Sequence, residues 1–249
     1  MFYHDHGPAG APAVVFANSL GTDARIWAGV IDRLPGLRCI AHDKRGHGLS
    51  ATPPDGWTVQ DLATDTAALI AHLGLGPVVV VGCSVGGMIA QALAVAEPGL
   101  TRGLVLCNTA AKLGTAESWQ QRIDAIRAGG LAAIADTVLD RWFTPAFTAS
   151  DAVRPWRSLL TGCDPDGYIG TCRALAAADL RADVGRIACP VLMVAGAEDR
   201  AAPSDVVRET AALIPGARVT VLDRSGHIPA IDAPDRLAGL ITAFIGGLA

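Results

Sequence analysis

Pro77 is followed by four valines, Val78 to Val81, and then by Gly82. A short, unbroken, β-branched run stopped by glycine suits a strand buried on both faces of a parallel sheet, because a half-exposed strand alternates apolar with polar. Such a strand needs parallel neighbours and helical crossovers, and the chain supplies both. Residues 13–17, 37–42, 103–107, 191–195 and 218–222 read as further strands, and 25–34, 59–73, 85–96, 206–214 and 235–244 carry helical periodicity. The second of these helices opens with Thr58-Val59-Gln60-Asp61, a capping-box pattern in which Thr58 and Asp61 satisfy orphan N–H groups. The expectation is an α/β fold: a mostly parallel central sheet with helices on both faces.

The alternation lapses over residues 110–184, where no strand is legible and helical patterns at 117–128, 131–142 and 168–178 are separated by Gly and Pro. Trp119, Trp142 and Trp156 fall in this stretch. The expected organisation is a core of residues 1–109 and 185–249 interrupted by an inserted helical cap, 110–184. Composition closes off other classes. At 51% hydrophobic and 18% charged residues the chain is too apolar for disorder, yet no apolar run reaches the ~20 residues of a membrane span. With two lysines, Lys44 and Lys112, and a net charge of -4, nothing is built to neutralise a phosphate backbone, so no nucleic-acid partner is expected. The N-terminus lacks a basic stretch followed by a long apolar one, so no signal peptide is expected. Six cysteines without a Cys-x-x-Cys pair read as free thiols in a reducing cytoplasm; a single Cys163–Cys172 bridge is the alternative.

The valine strand runs into Gly82-Cys83-Ser84-Val85-Gly86-Gly87 and then a helix. A serine flanked two residues away on each side by glycine, between strand and helix, is a tight turn that exposes its Oγ at the carboxyl edge of the sheet. The following helix adds N–H groups and a positive dipole end, suited to a developing oxyanion. A nucleophilic serine needs a base, and the base needs an orienting carboxylate. His227 follows the last strand, and Asp199 follows the strand 191–195, with Glu198 as its neighbouring competitor. Both therefore belong to the same edge as Ser84. For the oxyanion hole, the N–H of Val85 needs a second donor, and the loop Asn18-Ser19-Leu20-Gly21 after the first of the strands offers that of Leu20. His47, in a Gly-rich loop, reads as structural; His72 sits near a helix end. His4 and His6 lack further ligands at metal spacing, so neither a metal nor a cofactor is expected.

These residues resemble the α/β-hydrolase superfamily over nearly the whole chain, in which nucleophile, acid and base follow the order Ser84, Asp199, His227. Within it the chain is similar to the 3-oxoadipate enol-lactonases. Phe16 to Thr22, Asp43 to Ser50 and Gly82 to Met88 are shared broadly; Asn108 to Gly114, Glu117-Ser118-Trp119 and Arg141-Trp142-Phe143-Thr144 are more specific. Cys83 and Val85 depart from the Leu and Leu or Met expected beside the serine, a change of pocket shape that leaves the backbone N–H groups in place. The resemblance implies hydrolysis of a small anionic lactone through an acyl-enzyme on Ser84. Such an anion calls for a guanidinium, and Arg122 and Arg141, beside Trp119 and Trp142, are the substrate-binding candidates. Another esterase, a perhydrolase, a C–C bond hydrolase and a non-enzymatic ligand receptor stay open as alternatives, as does the oligomeric state.

Overall fold

The computed structural model describes residues 1–248. Seven strands form one sheet: β1 (Tyr3–His6), β2 (Ala13–Ala17), β3 (Arg38–His42), β4 (Val78–Cys83), β5 (Thr101–Cys107), β6 (Val191–Gly196) and β7 (Arg218–Leu222). Their spatial order is β1-β3-β2-β4-β5-β6-β7. β1 runs antiparallel to β3, and every other pairing is parallel. Every residue of β4 and of β6 is buried, the signature of strands covered on both faces.

The helices are α1 (Ala28–Ile31), α2 (Val59–His72), α3 (Val85–Ala96), α4 (Ala116–Gly129), α5 (Ala135–Trp142), α6 (Pro145–Thr148), α7 (Arg154–Thr161), α8 (Pro165–Ala177), α9 (Ser204–Leu213), α10 (Pro229–Asp232) and α11 (Pro234–Gly246). Helix α3 packs on β4 and β5, α1 packs against α11, and α9 lies on β6. Between β5 and β6 the described chain is helical, α4 to α8, with α4 packed on α8. One continuous apolar cluster runs from Val14 in β2 through Val138 and Leu175 of this helical stretch to Ile241 of α11.

Several sequence expectations need correction. Strand β1 is absent from the sequence reading because Tyr3-His4-Asp5-His6 is polar; it is an edge strand, pinned to β3 by the Asp5–Arg38 ion pair. The helix expected over 25–34 is a 3-10 turn, Ala24–Trp27, followed by the single turn α1. Asp23 caps its start, accepting from the Arg25 N–H, and Gly29 weakens propagation beyond one turn. The helix expected over 131–142 divides into a 3-10 turn, Leu131–Ala133, and α5. All six cysteines are free, so the Cys163–Cys172 bridge does not form. Cys163 Sγ instead donates to the carbonyls of Gly21 and Leu159, at 3.3 and 3.4 Å.

The strand order places the site. From β2 the chain steps one way to β3, then crosses back over β2 to β4. Ligands of open α/β sheets bind in the crevice at such a reversal, beyond the carboxyl ends of the strands. Leu20 follows β2 and Ser84 follows β4, so the two sides of that crevice carry the two sequence candidates.

Candidate active site

Ser84 joins β4 to α3 with φ 57° and ψ -119°, a conformation that non-glycine residues rarely adopt. The flanking glycines make the turn possible by close approach. A Cβ on Gly82 would sit 2.3 Å from the Gly86 carbonyl oxygen, and one on Gly86 would sit 2.0 Å from that of Ala17. The turn is fastened from both sides, by the Ser84 N–H on Cys107 O (3.0 Å) and by Thr109 Oγ1 donating to Ser84 O (2.6 Å). Ser84 Oγ makes no hydrogen bond among the described residues and lines a cavity of about 100 Å³.

His227 lines the same cavity. Its Nδ1 lies 2.8 Å from Asp199 Oδ2, and both side chains are buried. A carboxylate on Nδ1 makes that nitrogen the N–H donor and leaves Nε2 as an acceptor. The other carboxylate oxygen, Asp199 Oδ1, accepts from the N–H groups of Ala201 (2.7 Å) and Ala202 (3.1 Å). Asp199, rather than Glu198, thus faces the imidazole. The backbone N–H of His227 donates to Trp142 O at 2.7 Å, which ties the loop after β7 to the end of α5.

Sequence reasoning missed two residues that hold these loops. Asn108, fully buried at φ 48° just after β5, accepts from the Gly196 N–H (2.7 Å) and donates to Gly226 O (2.8 Å). One amide therefore fixes the strand end before Asp199 and the residue before His227. Asp232 accepts from Ser225 Oγ and the Gly226 N–H, both at 2.6 Å, and burial raises its pKa. A polar residue in an otherwise apolar stretch at a strand terminus was the available signal at Asn108.

Across the crevice, the N–H groups of Leu20 and Val85 donate to no group among the described residues, whereas that of Gly21 is taken by His47 Nε2 at 3.1 Å. His47 Nδ1 faces Arg45 O at 3.4 Å. Burial lowers the His47 pKa, with the Lys44 charge adding to it, so this neutral imidazole braces the loop. His4 and His6 stack on each other, and no group of three metal-ligating side chains occurs among the described residues.

Trp119, Arg122, Arg141 and Trp142 all line the cavity with Ser84. Trp119 Nε1 donates to Leu113 O (2.7 Å), and the Arg122 guanidinium sits over the Trp119 ring at 5.1 Å. Arg122 also donates to the hydroxyl of buried Tyr168 at 3.4 Å, a lining residue not picked out from sequence. Neither Arg122 nor Arg141 has a carboxylate partner among the described residues. Partial desolvation and the Arg122 charge lower the pKa of Arg141. Two guanidiniums thus line the cavity without a carboxylate at salt-bridge distance, while the more distant Asp199 charge favours the protonated form of Arg141.

With this geometry, known proteins place the chain directly. The pattern of the alpha/beta hydrolase family matches residues 14–240. The chain belongs to the alpha/beta hydrolase family. Among its relatives, 3-oxoadipate enol-lactonase 2 of Acinetobacter baylyi is 40% identical over 79% of this chain and 75% of its own length. The 3-oxoadipate enol-lactonase 1 of the same organism is 30% identical over 96% of this chain and 91% of its own. The crystal structure of the enol-lactonase from Burkholderia xenovorans LB400 superposes with a TM-score of 0.95 at 36% identity, covering 98% of this chain and 96% of that one. This hydrolase has no helix among its described residues long and apolar enough to cross a membrane.

Proposed function

We propose that this hydrolase opens 3-oxoadipate enol-lactone, or a small anionic lactone of that shape, through an acyl-enzyme on Ser84. The observation that carries the reading is the pair Arg122 and Arg141, lacking carboxylate partners and lining the small cavity that holds Ser84 and His227. A guanidinium that faces a cavity without a counter-ion is poised for an anionic ligand, and relatives named for the same lactone support the choice.

In this reading His227 Nε2 takes the Ser84 proton as Oγ attacks the lactone carbonyl, and Asp199 stabilises the imidazolium that forms. The N–H groups of Leu20 and Val85 receive the tetrahedral oxyanion. Collapse breaks the ring C–O bond. The enolate leaves, gains a proton and tautomerises to the ketone, while the acyl group stays on Ser84. Water, deprotonated by His227, then attacks the ester and releases 3-oxoadipate. The reaction needs neither metal nor cofactor, and we assign it to the β-ketoadipate route of bacterial aromatic catabolism. Six free thiols fit a reducing compartment, and we infer a cytoplasmic location.

The test compares freshly generated 3-oxoadipate enol-lactone with p-nitrophenyl acetate, a neutral ester. The native chain is expected to prefer the lactone in kcat/KM. Arg141→Ala is expected to raise KM for the lactone roughly 10- to 100-fold, the scale of a charged hydrogen bond, and to leave the neutral ester unchanged. A preference for the ester, or equal loss on both, would overturn the lactone assignment.

A further inference from the structure

Lys44 lies just beyond β3 with its whole side chain buried. Its ammonium donates three hydrogen bonds, to Asn18 Oδ1 (2.9 Å), Ser19 O (2.6 Å) and Thr22 O (3.2 Å). Asn18 Nδ2 donates to His42 O at 3.3 Å, which leaves the amide oxygen facing Lys44. Three acceptors meet three N–H groups, the full complement of a charged lysine and one more than a neutral amine has. No carboxylate touches the ammonium, so a buried charge is held by three dipoles of one loop.

The shortest of these bonds acts on the oxyanion hole. Ser19 C=O and Leu20 N–H belong to one planar, trans peptide group and point in opposite directions. Ser19 O also accepts from Thr22 Oγ1 (2.9 Å) and the Thr22 N–H (3.3 Å), so Lys44 is the charged and shortest of three contacts that set the direction of the N–H on the other side. It also polarises the amide, which makes the N–H a stronger donor. Lys44 does not line the cavity and has no contact with the reacting atoms. The neighbouring Gly21 N–H is already committed to His47, so of these two donors the Leu20 N–H is the one left to aim.

We propose that Lys44 is a positioning residue for the hydrolysis: by holding Ser19 O it aims and polarises the Leu20 N–H at the developing oxyanion. The proposal rests on the assignment of Leu20 to the oxyanion hole, but not on the identity of the lactone. Burial pushes the Lys44 ammonium down to about 7. Around it stand the carboxylates of Asp23 and Asp43, which favour the charge, the thiols of Cys163 and Cys83, which burial keeps protonated and neutral, and the imidazoles of His42 and His47, whose own protonation it opposes. A lysine lowered in this way loses its proton as pH rises. The neutral amine then leaves one acceptor unmatched, and turnover falls on the alkaline side.

The test uses p-nitrophenyl acetate, which reports the Ser84 machinery whatever the natural lactone is, and phenylboronic acid, whose tetrahedral adduct stands in for the oxyanion. In Lys44→Met, kcat is expected to fall about 10- to 100-fold, somewhat less than loss of an oxyanion donor itself, with KM within twofold and boronate affinity falling in parallel with kcat. Lys44→Gln keeps two donors without charge; it is expected to lose less and to lack the alkaline limb of the native kcat profile. Unchanged kcat, or kcat and KM impaired together, would overturn the proposal. Failure of both variants to fold would do so too, since Lys44 would then serve the fold alone. A native chain that cleaves the ester but not the lactone would sink the lactone reading and leave this one standing.

Discussion

At the level of single residues, the site divides into groups that sequence reveals and groups that only tertiary contact reveals. Ser84, Asp199 and His227 were legible because each sits at a fixed offset from a strand end, and strand ends can be read from apolar runs. Asn108 and Lys44 were not, because their partners are 22 to 118 residues away; Asp232 was not, because its bonds to Ser225 and Gly226, seven and six residues back, depend on how the loop after β7 turns. Lys44 offered one clue, a lysine beside a strand in a chain with only two, but composition ties that clue to no role. Two predictions belong here. Asp199→Asn is expected to lower kcat about 10⁴-fold while the fold persists, because the amide turns its NH₂ or its oxygen to Nδ1 and no longer stabilises the imidazolium; near-native kcat would reassign the acid. Asn108→Leu is expected to lower kcat with little change in KM, since it frees both loops at once and leaves Gly196 N–H and Gly226 O unpaired. A chain with native turnover and only lowered Tm would show that Asn108 serves stability alone.

Secondary-structure elements were legible where pattern and burial agree. β2 and β7 were bounded correctly, and the capping box at α2 is made as the sequence implied, with Asp61 N–H donating to Thr58 Oγ1 (3.1 Å) and Thr58 N–H to Asp61 Oδ2 (2.8 Å). Edge strand β1 and helix α7 escaped, the first because its side chains are polar, the second because Pro155 at its start reads as a break when its place in the first turn is unknown. Removing the cap by Thr58→Ala is expected to cost about 1 kcal/mol of stability, seen in the midpoint of urea unfolding with kcat unchanged. A contact between elements gives a second test. Gly167, near the start of α8, lies against the Gly46 loop so closely that an added Cβ would sit 2.0 Å from Gly46 O. Gly167→Ala is therefore expected to destabilise by about 1–3 kcal/mol and, by displacing Tyr168 from Arg122, to raise KM for an anionic lactone more than for a neutral ester. Equal KM changes for both would contradict that coupling.

Across the whole molecule, the helical stretch between β5 and β6 does not stand apart energetically. It shares one apolar cluster with the sheet, and its backbone reaches the core through His227 N–H to Trp142 O at 2.7 Å and Ala111 N–H to Thr210 Oγ1 of α9 at 2.9 Å. Unfolding in urea is accordingly expected as one cooperative transition, with tryptophan fluorescence and far-UV circular dichroism coincident; two separated transitions would give the helical stretch a stability of its own. The same coupling makes His227 and the wall that carries Arg141 answer to one element, α5.

The acyl-enzyme on Ser84 is tested most directly by the mass of the chain quenched within milliseconds of mixing with freshly generated 3-oxoadipate enol-lactone. Opening a lactone expels no separate leaving group, so an acyl-enzyme gains the mass of the entire substrate. That gain is expected on the peptide containing Ser84 in the native chain, with neither adduct nor turnover in Ser84→Ala. Turnover that survives in Ser84→Ala, or an adduct on another residue, would contradict it.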